Sequence, residues 1–418
     1  MYQAILLLLS ALFVVIAWRD PRHGIFLIVA LLPAYLLRFD VFGIPMTFLE
    51  VMILLLTIVW LIKKKGVPKI SVPKSWRIPI ALLFLSALMS TVVSPNTAAA
   101  FGVLKAYFIE PFLLLVIMMD VLKKTDVFPV LSSLGIGALF VSLVAIGQFL
   151  IGSGIPAPWD IEKRTTSVFP YPNAVGLYLG PMIVIGGFAL QAALRMKSTK
   201  GLLFWGTITL TSILAILTSV TEAAWIAVPT TLFFFSLFSP KTRRFTVPIV
   251  FLLTIFIFTI PQVREPVLQK VLLQDYSGQV RISQWKDASS FLQDHLILGA
   301  GLSGYPTLIE PYHSRPENEI FQYPHNVLLN TWVELGLLGI IAFLWIGILA
   351  AQTVLRSARG KEHLAIIGVA SLAALSEMFI HGLVDVPYFK NDLSVMTWIF
   401  LGIILLSCTH VAKPSHTS

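Results

Sequence analysis

Apolar runs long enough to cross a bilayer recur along the whole of this chain. About 20 apolar residues coiled into a helix span the ~30 Å of hydrocarbon in a membrane. Such runs fall near residues 2–18, 22–37, 43–62, 78–94, 106–122, 129–151, 174–194, 202–219, 221–239, 246–262, 326–355, 363–384 and 391–411. The first two are short, and the seam between the eighth and ninth carries almost no charge, so twelve or thirteen crossings are expected. Composition points the same way. Of the 418 residues, 57% are hydrophobic and only 12% charged, where a soluble protein carries roughly 25% charged residues. A single soluble core of this size would leave far too much apolar surface facing water. The expectation is an all-α integral membrane protein, one polytopic bundle of 12–13 transmembrane helices over residues 1–418. No period of 20–50 residues repeats, which excludes a solenoid. The apolar N-terminus lacks a basic leader and an A-x-A site, and is read as a retained membrane helix. The single cysteine, Cys408, excludes a disulfide or a cysteine zinc site within one chain.

The net charge of +9 does not indicate a nucleic-acid partner, because the basic residues come in small clusters between apolar runs. They set orientation instead. With the N-terminus outside, the cytoplasmic loops hold 20 of the 30 Lys and Arg residues, among them Lys63, Lys64, Lys65, Lys69, Arg359, Lys361 and Lys413. The other side holds 10, including Arg38, Lys105, Arg164 and Lys390, and five of those ten lie in one long loop where the rule weighs little. That loop, residues 263–325, is therefore expected outside the membrane. Within it Ile282, Trp285, Ser289, Leu292 and Leu296 recur at helical spacing, flanked by Arg281, Gln284 and Ala288. This predicts a short helix lying at the interface.

Gly299-Ala300-Gly301-Leu302-Ser303-Gly304 matches the dinucleotide fingerprint. That motif has meaning only between a strand and a helix of a soluble βαβ unit, so these are read as turn glycines. The closely spaced carboxylates on the outer side, Asp160/Glu162 and Glu317/Glu319, have no accompanying His or Asp run, and neither a metal nor a cofactor is expected. Arginine suits phosphate better, since a guanidinium grips it with two parallel hydrogen bonds and stays charged. Arg281 and Arg164 lie on the outer side near the ends of apolar runs, where the plainer role is an interfacial anchor. His325 opens the pair His325-Asn326 at the start of the eleventh run, where an imidazole can take a proton from a hydroxyl. Asn326 suits a helix cap. Ionisable residues at membrane depth are Glu50, Glu110, Glu222, Glu334, Glu377, His381 and Asp385, functional by default in such surroundings. Glu377 and His381 share a helical face four residues apart.

Taken in order, these features resemble the O-antigen ligase and O-antigen polymerase superfamily of bacterial membrane glycosyltransferases. The segment Arg281–Gly339 carries the resemblance: R-x-x-x-W-x-x-A with Trp285, then HLILGAGLSGY, then PHNVLLNTWVELGLLG, in which His325-Asn326 is followed by Glu334-Leu335-Gly336-Leu337-Leu338-Gly339. RTTSVFPYPNAVGLYLGP, KAYFIEPFLLL and FIHGLVDVPYF support it. The resemblance implies transfer of a glycan from undecaprenyl diphosphate to a lipid or glycan acceptor, outside the cytoplasmic membrane and without metal or nucleotide. It gives Arg281 the diphosphate and His325 the acceptor proton. One departure stands out. The family often has Ser-Arg where this chain has Thr221-Glu222, and a carboxylate there repels phosphate. Either Arg164 supplies the second positive charge, or Glu222 acts on the acceptor or pairs with an arginine. Within the superfamily the alternative to a ligase is a polymerase, which extends a lipid-linked glycan. From another class, a secondary transporter or flippase would need two matching halves with broken helices, and no such pairing is visible.

Overall fold

In the computed structural model, the structure describes residues 2–41, 43–64, 72–238, 240–259, 261–358 and 365–408. Lys65, Lys69, Arg359, Lys361 and Lys413, counted above on the cytoplasmic side, lie outside the described residues, as do the run ends 363–364 and 409–411. The apolar runs become helices: α1 (Tyr2–Arg19), α2 (Pro21–Ala30), α3 (Phe48–Lys63), α4 (Lys74–Val93), α5 (Thr97–Leu104), α6 (Glu110–Val121), α7 (Val127–Ile151), α8 (Asn173–Arg195), α9 (Thr199–Ser219), α10 (Glu222–Leu237) and α11 (Pro240–Thr259). The long loop folds into α12 (Pro261–Val271), α13 (Tyr276–Asp294) and the single turn α14 (Tyr305–Leu308). Then come α15 (Val327–Ala358), α16 (Ala365–His381) and α17 (Asn391–Cys408). Among the described residues seven helical segments are long and apolar enough to cross a membrane, with α1, α10 and α16 as shorter apolar helices. The chain is an all-α polytopic membrane protein. α17, nearly all of it buried, packs on α6 and α16, while α8 lies between α9 and α16.

Two runs depart from the expected crossings. The run 22–37 is not one helix: α2 stops at Ala30 and a 3₁₀ turn, Leu32–Leu36, follows. Pro33 has no N–H to continue the ladder, and ten residues reach only about 15 Å. A small hairpin, Arg38–Val41 paired with Ile44–Thr47, then leads into α3, whose first turn carries a Thr47/Glu50 capping box. The run 106–122 starts earlier than expected, at Thr97, where Asn96 caps α5. A π-helical turn over Lys105–Ile109 joins α5 to α6, so Lys105 lies within a helix rather than in a loop. Its ammonium sits 3.3 Å from the Glu50 carboxylate.

α15 contains a break that organises the loop end of the bundle. At Gly336 the backbone turns to φ 68°, ψ −174°, which takes the carbonyls on either side out of the helical ladder. The segment after α13 enters this break. Ala300 N–H donates to Val333 O at 2.7 Å, and Leu337 N–H donates to Ile297 O at 3.0 Å. From the other side Ser86 Oγ on α4 donates to Leu335 O at 2.6 Å. The same segment binds the end of α4, with Leu302 N–H on Ser90 O at 3.1 Å and Ser94 Oγ on Leu302 O at 2.7 Å. The fingerprint-like glycines therefore serve a close backbone crossing, and Gly299, at φ 65°, lies so near Val333 O that a Cβ would collide with it.

The helix predicted in the long loop is present as α13, capped by Asp275, but it buries a different face. Ser283, Gln284, Asp287, Ala288, Phe291 and Leu292 are buried, whereas Ser289 and Leu296 of the predicted stripe are exposed. The helix packs on protein, not only on an interface. Phe291 and Ala288 form a small core with Tyr305, Ile309 and Val333, and Asp287 accepts from Ser314 N–H and Oγ.

Gly336→Ala should be among the most damaging single changes in the bundle. A Cβ there would strike Ile297 O, in a backbone region that disfavours any side chain. We expect a loss of ~2 kcal/mol or more, read as a clear drop in the thermal unfolding midpoint of the detergent-solubilised protein. An unchanged midpoint would contradict this account of the break.

Candidate functional site

Three consecutive carbonyls in the turn between α16 and α17 each accept a hydrogen bond from the long-loop side. Gly382 O takes Val327 N–H at 2.6 Å, Leu383 O takes Asn326 Nδ2 at 3.0 Å, and Val384 O takes Arg281 Nε at 3.0 Å. Asn326 also caps α15, its Oδ1 accepting from the N–H groups of Leu328 and Leu329 at 3.0 and 3.1 Å. It is a cap and a tie, as its residue type suggested.

His325 stands between α13 and this turn, with the left-handed φ of 45°. Gln284 Oε1 lies 3.0 Å from Nδ1. An amide oxygen only accepts, so Nδ1 carries the proton and Nε2 keeps its lone pair. Among the described residues Nε2 has no hydrogen-bond partner. Trp285 Nε1 donates to the His325 carbonyl at 3.4 Å, and Phe321 and Tyr323 meet the ring edge-on at 5.1 and 5.0 Å between centroids. Burial pushes the imidazole pKa down to about 4; the Asp385 carboxylate opposes the shift, and the Arg281 and Lys390 cations add to it.

Arg281 uses only Nε on Val384, and among the described residues its two terminal nitrogens have no hydrogen-bond partner. The other charged groups bearing on His325 come from the α16–α17 turn. Asp385 accepts from Val386 N–H at 2.7 Å and lies 3.7 Å from Lys390 Nζ. Burial alone would raise its pKa, but Lys390, His325 and His381 hold it at about 2. Lys390 lies over the rings of Tyr171 and Tyr323, 5.1 and 5.4 Å from their centroids.

The remaining residues singled out in the sequence lie elsewhere or serve as supports. Arg164 is held at the α9–α10 turn. Val220 there is left-handed and turns two carbonyls out of the helix, and Arg164 donates to Ser219 O and Val220 O at 3.2 Å each and to Asn173 Oδ1 at 3.3 Å. It also lies 3.7 Å from Glu162 and over the ring of Trp159, and its hydrogen bonds and ion pair among the described residues include neither His325 nor Arg281. Glu222 pairs not with an arginine but with Lys270, at 2.8 Å, which Asp275 shares. Glu334 is buried and accepts from Ser303 N–H at 2.7 Å, fixing the inserted segment. His381 and Glu377 are both buried and approach to 3.5 Å, on the face where Gly180 of α8 leaves room for the carboxylate.

Sequence reasoning did not pick out Gln284, Lys390, Tyr171 or Tyr323 as site residues. The signal was adjacency. Tyr171 lies within RTTSVFPYPN, Tyr323 two residues before His325, and Lys390 directly after FIHGLVDVPYF.

The ring of His325 should stay neutral well below the usual histidine range. With ¹⁵N-labelled histidine, its NMR shifts should titrate with a midpoint near pH 4, and Asp385→Asn should move that midpoint lower by removing the carboxylate that favours the proton. A midpoint near 6.5 would show that the ring is solvated.

Residues 207–344 match the O-antigen ligase family. That stretch runs from α9 through the loop helices and past the break in α15, and so includes Arg281, Gln284 and His325 but not Arg164, Asp385 or Lys390. No curated protein matches the chain significantly. The resemblance read from Arg281–Gly339 is thus to the O-antigen ligase family, over about a third of a polytopic membrane chain.

Proposed function

We propose that the chain is a membrane glycosyltransferase that moves a glycan from undecaprenyl diphosphate to an acceptor hydroxyl, on the outer face of a bacterial cytoplasmic membrane. The observation that carries this reading is the pair of reactive faces beside the α16–α17 turn: the bare Nε2 of His325, whose neighbours Asn326 and Val327 bond to the turn, and the unspent nitrogens of Arg281, which bonds to it through Nε. The family match supports the transferase class. The acceptor O–H gives its proton to Nε2 while the oxygen attacks the anomeric carbon. The bond from that carbon to the phosphate oxygen breaks in the same inverting displacement, and its electron pair leaves on the diphosphate. Arg281 meets the charge that grows there. Positive charge preorganised at a leaving group is commonly worth a few kcal/mol, and here a guanidinium supplies it with no divalent ion required. Gln284 holds the tautomer that can accept the proton. Donor binding brings negative charge next to Arg281, which raises the basicity of His325 when the acceptor needs it.

Transfer by purified protein should fall roughly 10²–10⁴-fold in His325→Ala and by a similar order in Arg281→Ala, with expression intact. Near-normal transfer by both variants would remove these roles. The acid limb of kcat/KM, which reports the free enzyme, should lie near pH 4, while that of kcat should sit higher, because bound diphosphate favours the imidazolium. Coincident limbs would contradict the coupling. EDTA should leave the rate unchanged, and inhibition reversed by a divalent ion would overturn the metal-free mechanism. Mass spectrometry of lipid-linked glycans in a host carrying His325→Ala separates the two acceptor classes: long chains accumulating on the lipid indicate a ligase, single repeat units a polymerase. An unchanged lipid pool would mean either that His325 is not the base or that the chain is not a glycan transferase.

A further inference from the structure

Lys390 is a buried ammonium that the described residues leave incompletely satisfied. Its Nζ is shielded from solvent and makes no hydrogen bond among the described residues. Asp385 Oδ1, at 3.7 Å, is beyond hydrogen-bond reach, the rings of Tyr171 and Tyr323 present their faces, and the Tyr171 hydroxyl favours the charged ammonium without a well-formed hydrogen bond. Burial works against the charge, yet Tyr171, Tyr323 and Asp385 outweigh it and keep Lys390 protonated. A buried cation whose N–H groups are left largely unanswered is costly, and an anionic ligand would remove that cost. The position suits one: Tyr323 touches both the Lys390 ammonium and the His325 ring. Lys390 and Arg281 are the two cations that act on that imidazole, and Asp385 is the anion. Without Lys390, Arg281 and Asp385 would cancel and leave nothing for a multiply charged group. Arg164, the other cation considered for this role, is committed to the α9–α10 turn.

We propose that Lys390 is the second cation of the donor site, its ammonium hydrogen-bonding the lipid diphosphate on the side that Arg281 does not reach. This rests on the transferase reading above. A cage of two tyrosines fixes the ammonium in place, and Asp385 sets its position without consuming its hydrogen bonds. The family's missing arginine at Thr221-Glu222 is thereby replaced from a different part of the chain.

The test is binding of undecaprenyl diphosphate and of undecaprenol to the full chain in phosphatidylcholine nanodiscs. The wild type should prefer the diphosphate roughly 100-fold or more, and Lys390→Met should lose about tenfold or more of that preference with undecaprenol affinity unchanged. Lys390→Arg should restore most of it. A Lys390→Met protein with wild-type preference overturns the proposal and leaves the transferase reading standing. A wild type without preference overturns both. Should Lys390→Met fail to fold because Asp385 is left unpaired, the double variant K390M/D385N removes both charges and keeps the net charge of the site. It should still lose the preference, and wild-type preference in it would overturn direct contact. Competition by phosphatidylglycerol as effective as that by undecaprenyl diphosphate would show an ordinary headgroup site and equally overturn the proposal.

Discussion

The site depends on a backbone problem and its solution. Within a membrane protein every N–H and C=O away from water must find a partner, and the break at Gly336 exposes several at once. The segment 296–304 and Ser86 answer them, one bond each to Val333, Leu335 and Leu337. Having been drawn in at that point, the segment fixes where α13 ends and where the polar stretch toward His325 begins. Glu334 completes the seam by accepting Ser303 N–H. The placement of α13, and with it Arg281 and Gln284, follows from hydrogen bonds made at the break rather than from the site itself.

Electrostatics at the site rest on a single carboxylate. Among the described residues Asp385 is the negative charge bearing on His325, against the cations Arg281 and Lys390, and it stays ionised although buried. It pairs loosely with Lys390 and leaves the imidazole neutral. A neutral imidazole beside two cations suits an anion: a ligand that neutralised the cations would also make the imidazole more basic. In the proposed mechanism, binding and proton abstraction are linked through charge without any movement of the chain.

The membrane class was legible because hydrophobic runs report length, and length is what a bilayer tests. Helix boundaries were less so: Pro33 divides a run that hydropathy alone makes continuous, and α5 begins nine residues before the apolar stretch assigned to it. His325 and Arg281 could be found from local chemistry and resemblance, since each stands in a recognisable motif. Their partners could not. Gln284 lies in the same helix as Arg281, but its pairing with His325 crosses 41 residues of chain. Lys390 resembles any loop lysine until Tyr171 and Tyr323 close over it. The buried face of α13 was misjudged for a related reason: its hydrophobic stripe suggested an interface, whereas polar Asp287 and Ser283 are buried because loop residues come to meet them.

The row of carbonyls at Gly382, Leu383 and Val384 acts as a three-point mount. Each point is gripped by a different donor: the backbone at the start of α15, the cap residue beside it, and the guanidinium from α13. Three fastenings along one strip of chain remove hinge freedom between the parts they join. His325, Arg281 and the turn bearing Asp385 and Lys390 are thereby tied into one unit. Under the proposed transfer of a glycan, such a mount would keep the spacing at the reacting bond independent of how much glycan hangs beyond it.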